Sequence, residues 1–308
     1  MSIDGSSAAR GHRRLGLFYL SVTAIGWGLN WPILKSLLTE MPPLAARGYA
    51  GVLAALALAT FAASRGRPLA VPAGQFGRLV IASLLNVTAW MGLATIGLRY
   101  VGAGEGAIIC YTMPAWTALM AWPVLGERPT FARILALALG LAGVAILITA
   151  RGFEVDESKL PGVAIILSGA ILFAYGTVAF KRRPLPMNPV AATAWQVGLG
   201  CLPLAIASPF LESFSPATLS TAGWAAFLYM AAIPLCLCYL TWFSALAVLP
   251  AGVATIGTLA TPIIGVLSAS AWLGEPFGTR QAIALALTLA GILLAVQSST
   301  RKRRELPQ

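Results

Sequence analysis

An internal duplication constrains this chain more than any other feature. The stretch Ala103 to Pro129 is a long apolar run interrupted by Pro114 and closed by Leu125-Gly126-Glu127. It returns as Ala251 to Phe277, interrupted by Pro262 and closed by Leu273-Gly274-Glu275. Pro114 and Pro262, Gly126 and Gly274, Glu127 and Glu275, and Gly143 and Gly291 all stand 148 positions apart. A constant spacing across two successive apolar runs means that no insertion separates the copies. Ala136 to Gly143 differs from Ala284 to Gly291 at one position of eight. The chain is therefore read as two repeats, each about half its length.

Composition fixes the solvent of these repeats. Only 10% of the 308 residues are charged and 58% are hydrophobic, with a mean hydropathy of +0.82. A soluble domain carries about 25% charged residues. The fold class expected is an all-α integral membrane protein. The net charge of +11 does not point to nucleic acid, because the basic residues sit in short clusters between apolar spans, where they report orientation in the bilayer. Cys110, Cys201, Cys236 and Cys238 all lie within apolar spans and are read as buried thiols.

A membrane-crossing helix needs about 20 residues for roughly 30 Å of hydrocarbon. Spans are expected near 16–34, 44–64, 76–98, 103–125, 131–150, 161–180, 188–210, 222–247, 252–273 and 279–298, which makes ten. Arg10, Arg13 and Arg14 precede the first span, and no small-residue cleavage site follows it, so the first helix is read as retained. With the N-terminus in the cytoplasm, fifteen of the 21 basic residues fall on the inner side and six (Lys35, Arg47, Arg99, Arg151, Lys159, Arg280) on the outer side. That bias agrees with both termini being cytoplasmic. The organisation expected is a tail (1–15), a first repeat (16–150), an extracytoplasmic linker (151–160), a second repeat (161–298) and a basic tail (299–308). Five helices per repeat force the second copy to enter the membrane from the opposite side. Inverted repeats of this kind build secondary transporters, with the substrate site near the midplane between the copies.

The paired proline-broken helices, each closed by Leu-Gly-Glu and followed by a Leu-x-Leu-Ala-Gly helix, resemble the drug/metabolite transporter superfamily and its EamA-type family. The likeness covers nearly the whole chain. It implies a ten-helix inverted-repeat carrier that exports metabolites or amino acids across a bacterial inner membrane, working by alternating access. Within the family the likeness is nearest to the aromatic amino acid exporters of bacteria. The halves are not equal, however. Gly26-Trp27-Gly28-Leu29-Asn30 returns as Ala174-Tyr175-Gly176-Thr177-Val178, so Asn30 has no polar counterpart.

Polar residues deep in a span are costly unless they face protein or water. Asn86, Tyr111 and Gln196 fall near the midplane, Asn30 nearer the outside and Tyr175 nearer the inside. Asn86 and Trp90 share a helical face, as do Trp27 and Trp31, and Tyr239 and Trp242 are three apart. Amides beside indole and phenol faces suit a cavity that stacks a flat apolar ligand and hydrogen-bonds its head group. These ten residues (Trp27, Asn30, Trp31, Asn86, Trp90, Tyr111, Tyr175, Gln196, Tyr239 and Trp242) form the candidate substrate site. The competing reading is that the aromatics pack helices, as Trp122 and Trp272 near span ends are expected to do at the interface. Pro114 and Pro262 mark expected helix breaks, either beside a cavity or as packing kinks. Glu127 and Glu275 sit at span ends and are read as structural. Glu105 either pairs with Arg99 or takes up a proton.

No basic residue in this assignment lies deeper than the span edges marked by Arg47, Arg78, Arg99 and Arg133. Phosphorylated ligands, which call for Lys or Arg, are therefore disfavoured against neutral or zwitterionic ones, with aromatic amino acids or apolar amines the leading candidates. An ATP-binding loop of the G-x-x-x-x-G-K-[ST] type is absent. His12 is the lone histidine and no two acids share a span, so neither an enzyme, a metal centre nor a cofactor site is expected. The partners expected are a small-molecule substrate and bilayer lipid, with a monomer sufficient. The alternatives are an exporter of multiple drugs or apolar amines on the same fold, and a membrane scaffold that transports nothing.

Overall fold

The computed structural model describes residues 4–126, 130–147, 156–182, 185–249 and 257–304. Among these the regular structure is helical throughout. The helices are α1 (Asp4–Leu37), α2 (Pro43–Ser64), α3 (Phe76–Gly97), α4 (Ala103–Cys110), α5 (Met113–Leu125), α6 (Phe131–Leu147), α7 (Leu160–Arg182), α8 (Pro189–Leu211), α9 (Thr221–Val248), α10 (Ala260–Leu273) and α11 (Thr279–Arg304). Six stretches, Arg14–Leu37, Pro43–Ser64, Phe76–Gly97, Glu157–Phe180, Pro189–Leu211 and Thr221–Val248, are long and apolar enough to cross a bilayer. Ile134–Leu147, Ala260–Leu273 and Thr279–Leu294 are shorter apolar helices. The chain is a multi-pass membrane protein.

The span expected over 103–125 is divided. The helix stops at Cys110, turns through Tyr111 and Thr112, and restarts at Met113. Pro114 is the second residue of the new helix, where its missing N–H and fixed φ cost nothing. It leaves the Cys110 carbonyl without its helical donor. In the second copy, Thr258 and Leu259 form the corresponding turn and Pro262 is the third residue of α10. Each proline therefore opens a half-helix and does not kink a continuous one.

The duplication extends to other irregularities. A π turn at Leu84–Ala89 interrupts α3, and another at Ile233–Leu237 interrupts α9 at the corresponding place. Pro234 accounts for the second, since a missing N–H lets the ladder widen. Gly126 and Gly274 close α5 and α10 in the left-handed conformation, with φ of 73° and 66°, which explains why glycine recurs there.

Small residues let the copies approach, as is usual between helices in a membrane. A Cβ on Gly143 would lie 2.8 Å from the Ala284 carbonyl oxygen, and one on Gly291 would lie 2.6 Å from that of Ala136. Ala136 and Ala284 are repeat equivalents, as are Gly143 and Gly291, so the contact between α6 and α11 is reciprocal in the way a two-fold axis demands. Between α4 and α10 the partners run in opposite order: Gly104 faces Ala269, Ala107 faces Gly265, and Tyr111 faces Thr261. On α2, Gly48 and Gly51 admit Ala205 and Cys201 of α8. The larger core cluster contains Trp31, Leu34, Leu98, Ile108, Ile166 and Met230. A smaller one contains Val87, Met91, Val197, Cys201 and Leu235, and Trp90 borders both.

Candidate functional site

One end of the bundle is closed by carboxylates that reach from one repeat to the other. Glu40, after α1, accepts the Ser220 N–H at 2.7 Å and the Ser220 hydroxyl at 2.8 Å, just before α9. Glu212, after α8, accepts the N–H groups of Leu44 and Ala45 at 2.9 Å each, at the start of α2. Glu275, after α10, accepts those of Ala103 and Gly104 at 2.6 and 3.0 Å, at the start of α4. Helix starts carry unsatisfied N–H groups and the positive end of the dipole. Glu212 and Glu275 each cap a helix of the other repeat, while Glu40 holds Ser220, whose hydroxyl oxygen caps α9 by accepting the Gly223 N–H. The paired hydrogen bonds from Ser220, the backbone one first, hold the Glu40 carboxyl below its ordinary value. Lys35 donates to the Leu98 and Val101 carbonyls, the latter at 2.8 Å.

Glu105 belongs to this same end. Its Oε1 accepts from Lys159 at 2.6 Å and its Oε2 from the Gly102 N–H at 3.1 Å. The partner expected from sequence was Arg99; the structure corrects it to Lys159, because α7 begins beside α4. Glu275 is structural, as expected, while Glu127 lies outside the described residues.

Deeper in the bundle, α1 and α9 build an aromatic cluster. The Trp27 and Tyr239 rings meet edge to face at 5.7 Å, and Trp242 lies 6.0 Å from Trp27. Such offset pairs are the favoured geometry. The Trp27 indole donates to the Pro234 carbonyl at 3.0 Å, within the π turn of α9. Tyr229 donates to the Gly26 carbonyl at 3.0 Å, one residue before Trp27. Gly26 itself fits against Cys238.

A second group lies between α3 and α7. Trp90 packs against Phe173 at 5.7 Å, and Asn86 lies against Gly176, where a Cβ would fall 2.2 Å from its Oδ1. Among the described residues that amide oxygen is buried without a hydrogen-bond partner, as are Asn30 Oδ1 and Trp116 Nε1. An unmade buried hydrogen bond costs about 1–3 kcal/mol, so these interior polar atoms stand to gain from a polar partner.

The remaining sequence candidates are dispersed. Trp31 is a buried wedge between Gly106 and Gly265. Tyr111 sits at the turn between α4 and α5 and faces Thr261. Gln196 is half-buried on α8, and Tyr175 is 46% exposed, on the same face of α7 as exposed Ala164 and Ser168.

Arg47 is expected at a span edge, and the structure adds that this edge residue is buried. It is only 7% exposed, and its Nε donates to Thr95 Oγ1 at 2.9 Å. Arg47 keeps the span-edge position read from sequence, as the fifth residue of α2, but it is enclosed by protein there and does not face water. Close approach of α8 over Gly48 and Gly51 covers a residue that lies only one turn inside α2. The paired glycines beside an arginine were the available signal.

Comparison with known proteins agrees with this architecture. The profile of the EamA-like transporter family matches residues 14–149 and again residues 160–297. An uncharacterised transporter of Bacillus subtilis, YvbV, is 32% identical over 279 residues, covering 91% of this chain and 88% of the relative. A probable amino-acid metabolite efflux pump of Salmonella typhimurium is 27% identical, covering 92% and 95% of the two chains. A probable terminal-alkyne amino-acid exporter of Streptantibioticus cattleyicolor is 24% identical, covering 93% and 95%. A protein of known crystal structure shares the fold with a TM-score of 0.64 at 20% identity, covering 93% of this chain and 99% of that one.

Proposed function

The chain belongs to the EamA-like transporter family, and from that premise we infer that it exports neutral amino acids, aromatic ones foremost, across a bacterial inner membrane. In this reading ten spans form two inverted repeats with both termini cytoplasmic, and the carboxylate-capped end faces outward. The carrying observation is the Trp27–Tyr239–Trp242 cluster bound to the π turn at Pro234, at the contact between an α1 helix of one repeat and an α9 helix of the other. A flat side chain stacks there, and the unpartnered Asn30 and Asn86 oxygens can accept from an ammonium group. Alternating access then follows from rocking one repeat against the other, with the Glu40, Glu212 and Glu275 caps forming and releasing at the outer end.

Two amino-acid exporters or efflux pumps among the relatives support this substrate class. Glu105 is held by Lys159, which favours a carrier running down its substrate gradient over one coupled to protons through that carboxylate. The test is flux of labelled phenylalanine, tryptophan and leucine into vesicles containing the purified protein. Saturable flux of the aromatic pair supports the proposal; none across a full amino-acid panel overturns it.

A further inference from the structure

Arg47 is a buried cation, and among the described residues no carboxylate pairs with it. Its Nε is engaged by Thr95, whose hydroxyl in turn donates to the Met91 carbonyl at 2.7 Å. Among the described residues nothing accepts from its two Nη groups, although a guanidinium carries five N–H donors. The titratable groups that face its charge are Cys201 on α8, Tyr239 on α9 and Cys110 on α4, all of them neutral at pH 7. The acids at this end of the bundle are committed elsewhere: Glu212 to the start of α2, Glu40 to Ser220, Glu105 to Lys159 and Glu275 to the start of α4. A buried charge left unpaired is strongly unfavourable, so an anion from outside the protein has the most to gain here.

We propose that Arg47 binds the carboxylate of the transported molecule, its free Nη groups gripping both oxygens while Thr95 fixes the plane of the guanidinium. This rests on the carrier reading above and assigns the residue that recognises the substrate's carboxylate. Tyr239 links the two ends of the ligand, since it lies within electrostatic reach of Arg47 and packs on Trp27. An amino acid with its carboxylate at Arg47 thus points its side chain toward the Trp27–Tyr239–Trp242 cluster. One guanidinium balances one carboxylate, whereas a phosphate monoester brings about −1.5 to −2 charges. A ligand with only an ammonium group meets repulsion.

The test compares phenylalanine with 2-phenylethylamine and with phenylalaninamide as competitors of labelled phenylalanine flux in vesicles. Wild type should favour the free acid by about tenfold or more, the scale of a charge-assisted bidentate pair. Arg47→Gln should bring the ratio close to one, and Arg47→Lys should keep only part of it, since an ammonium lacks the fork. Thr95→Val, which frees the guanidinium to tilt, should lower the preference in a folded carrier and carries the test if Arg47→Gln does not fold. Wild type that moves acid and amine alike, or Arg47→Gln or Thr95→Val that keeps the wild-type ratio, would overturn the assignment while leaving the carrier reading intact. Wild type that moves no amino acid would overturn the carrier reading itself.

Discussion

Glu275 accepts two consecutive backbone N–H groups, those of Ala103 at 2.6 Å and Gly104 at 3.0 Å. Within α4 the Glu105 side chain reaches only the Gly102 N–H, so the carboxylate from the other repeat caps the next two. The glutamate that closes the sequence motif Leu273-Gly274-Glu275 is thereby a contact between repeats, which is a physical reason for its presence beside a left-handed glycine. Gly274 turns the chain so that Glu275 points back across α4.

Glu275→Ala should cost about 1–2 kcal/mol, the value of a lost helix cap with charge assistance. Thermal melting of the purified protein checks this. A melting temperature equal to wild type would show that the cap contributes nothing in the membrane.

Gly143→Val and Gly291→Val should destabilise the protein by similar amounts, about 1–3 kcal/mol each. Each side chain would strike the repeat-equivalent carbonyl, of Ala284 or Ala136, at under 3 Å. Melting of the two variants side by side gives the comparison, and a large inequality would break the two-fold relation between α6 and α11.

Asn86→Ala should reduce transport severely with little change in melting temperature. Its amide oxygen is buried without a partner, so truncation removes an unmade hydrogen bond and not a formed one. Unchanged flux would remove Asn86 from the site.

The Glu40 link should be sensitive to acid. Its carboxyl is held below the ordinary 4.5 by hydrogen bonds from Ser220. The stabilisation is therefore present above that value and lost as pH falls through the lowered one. Wild type should lose more melting temperature than Glu40→Gln between neutral pH and about pH 3; equal losses would count against the link.

Much of this architecture is legible in the chain because duplication writes it twice. The recurrence of Gly126 at Gly274 and of Pro114 at Pro262 located the helix ends and the broken segments. Pro114 was read as a possible kink inside one span, because hydropathy does not distinguish a kink from a restart; the turn at Tyr111 and Thr112 decides it. The π turn at Pro234 has a sequence cause, whereas that at Leu84–Ala89 contains no proline and leaves no mark. Trp27, Tyr239 and Trp242 were recognisable from aromatic spacing, but their meeting depends on how α1 packs on α9. Arg47 was hidden for the opposite reason. Its burial comes from α8 lying close over α2, a tertiary effect that counting residues from a span end does not register. The partner of Glu105 was missed likewise, since Lys159 is distant in sequence and Arg99 is near.

The proposed carrier requires the two copies to thread the bilayer in opposite senses. Thr130 and Gly278 are exposed and occupy equivalent places after α5 and α10. Single cysteines at these two positions, in a chain whose native cysteines are replaced, can be probed with a membrane-impermeant thiol reagent in intact cells and in inverted vesicles. Thr130→Cys should react only from the cytoplasmic side and Gly278→Cys only from the outer side; reaction of both from one side would contradict the inverted arrangement and the site built between its halves.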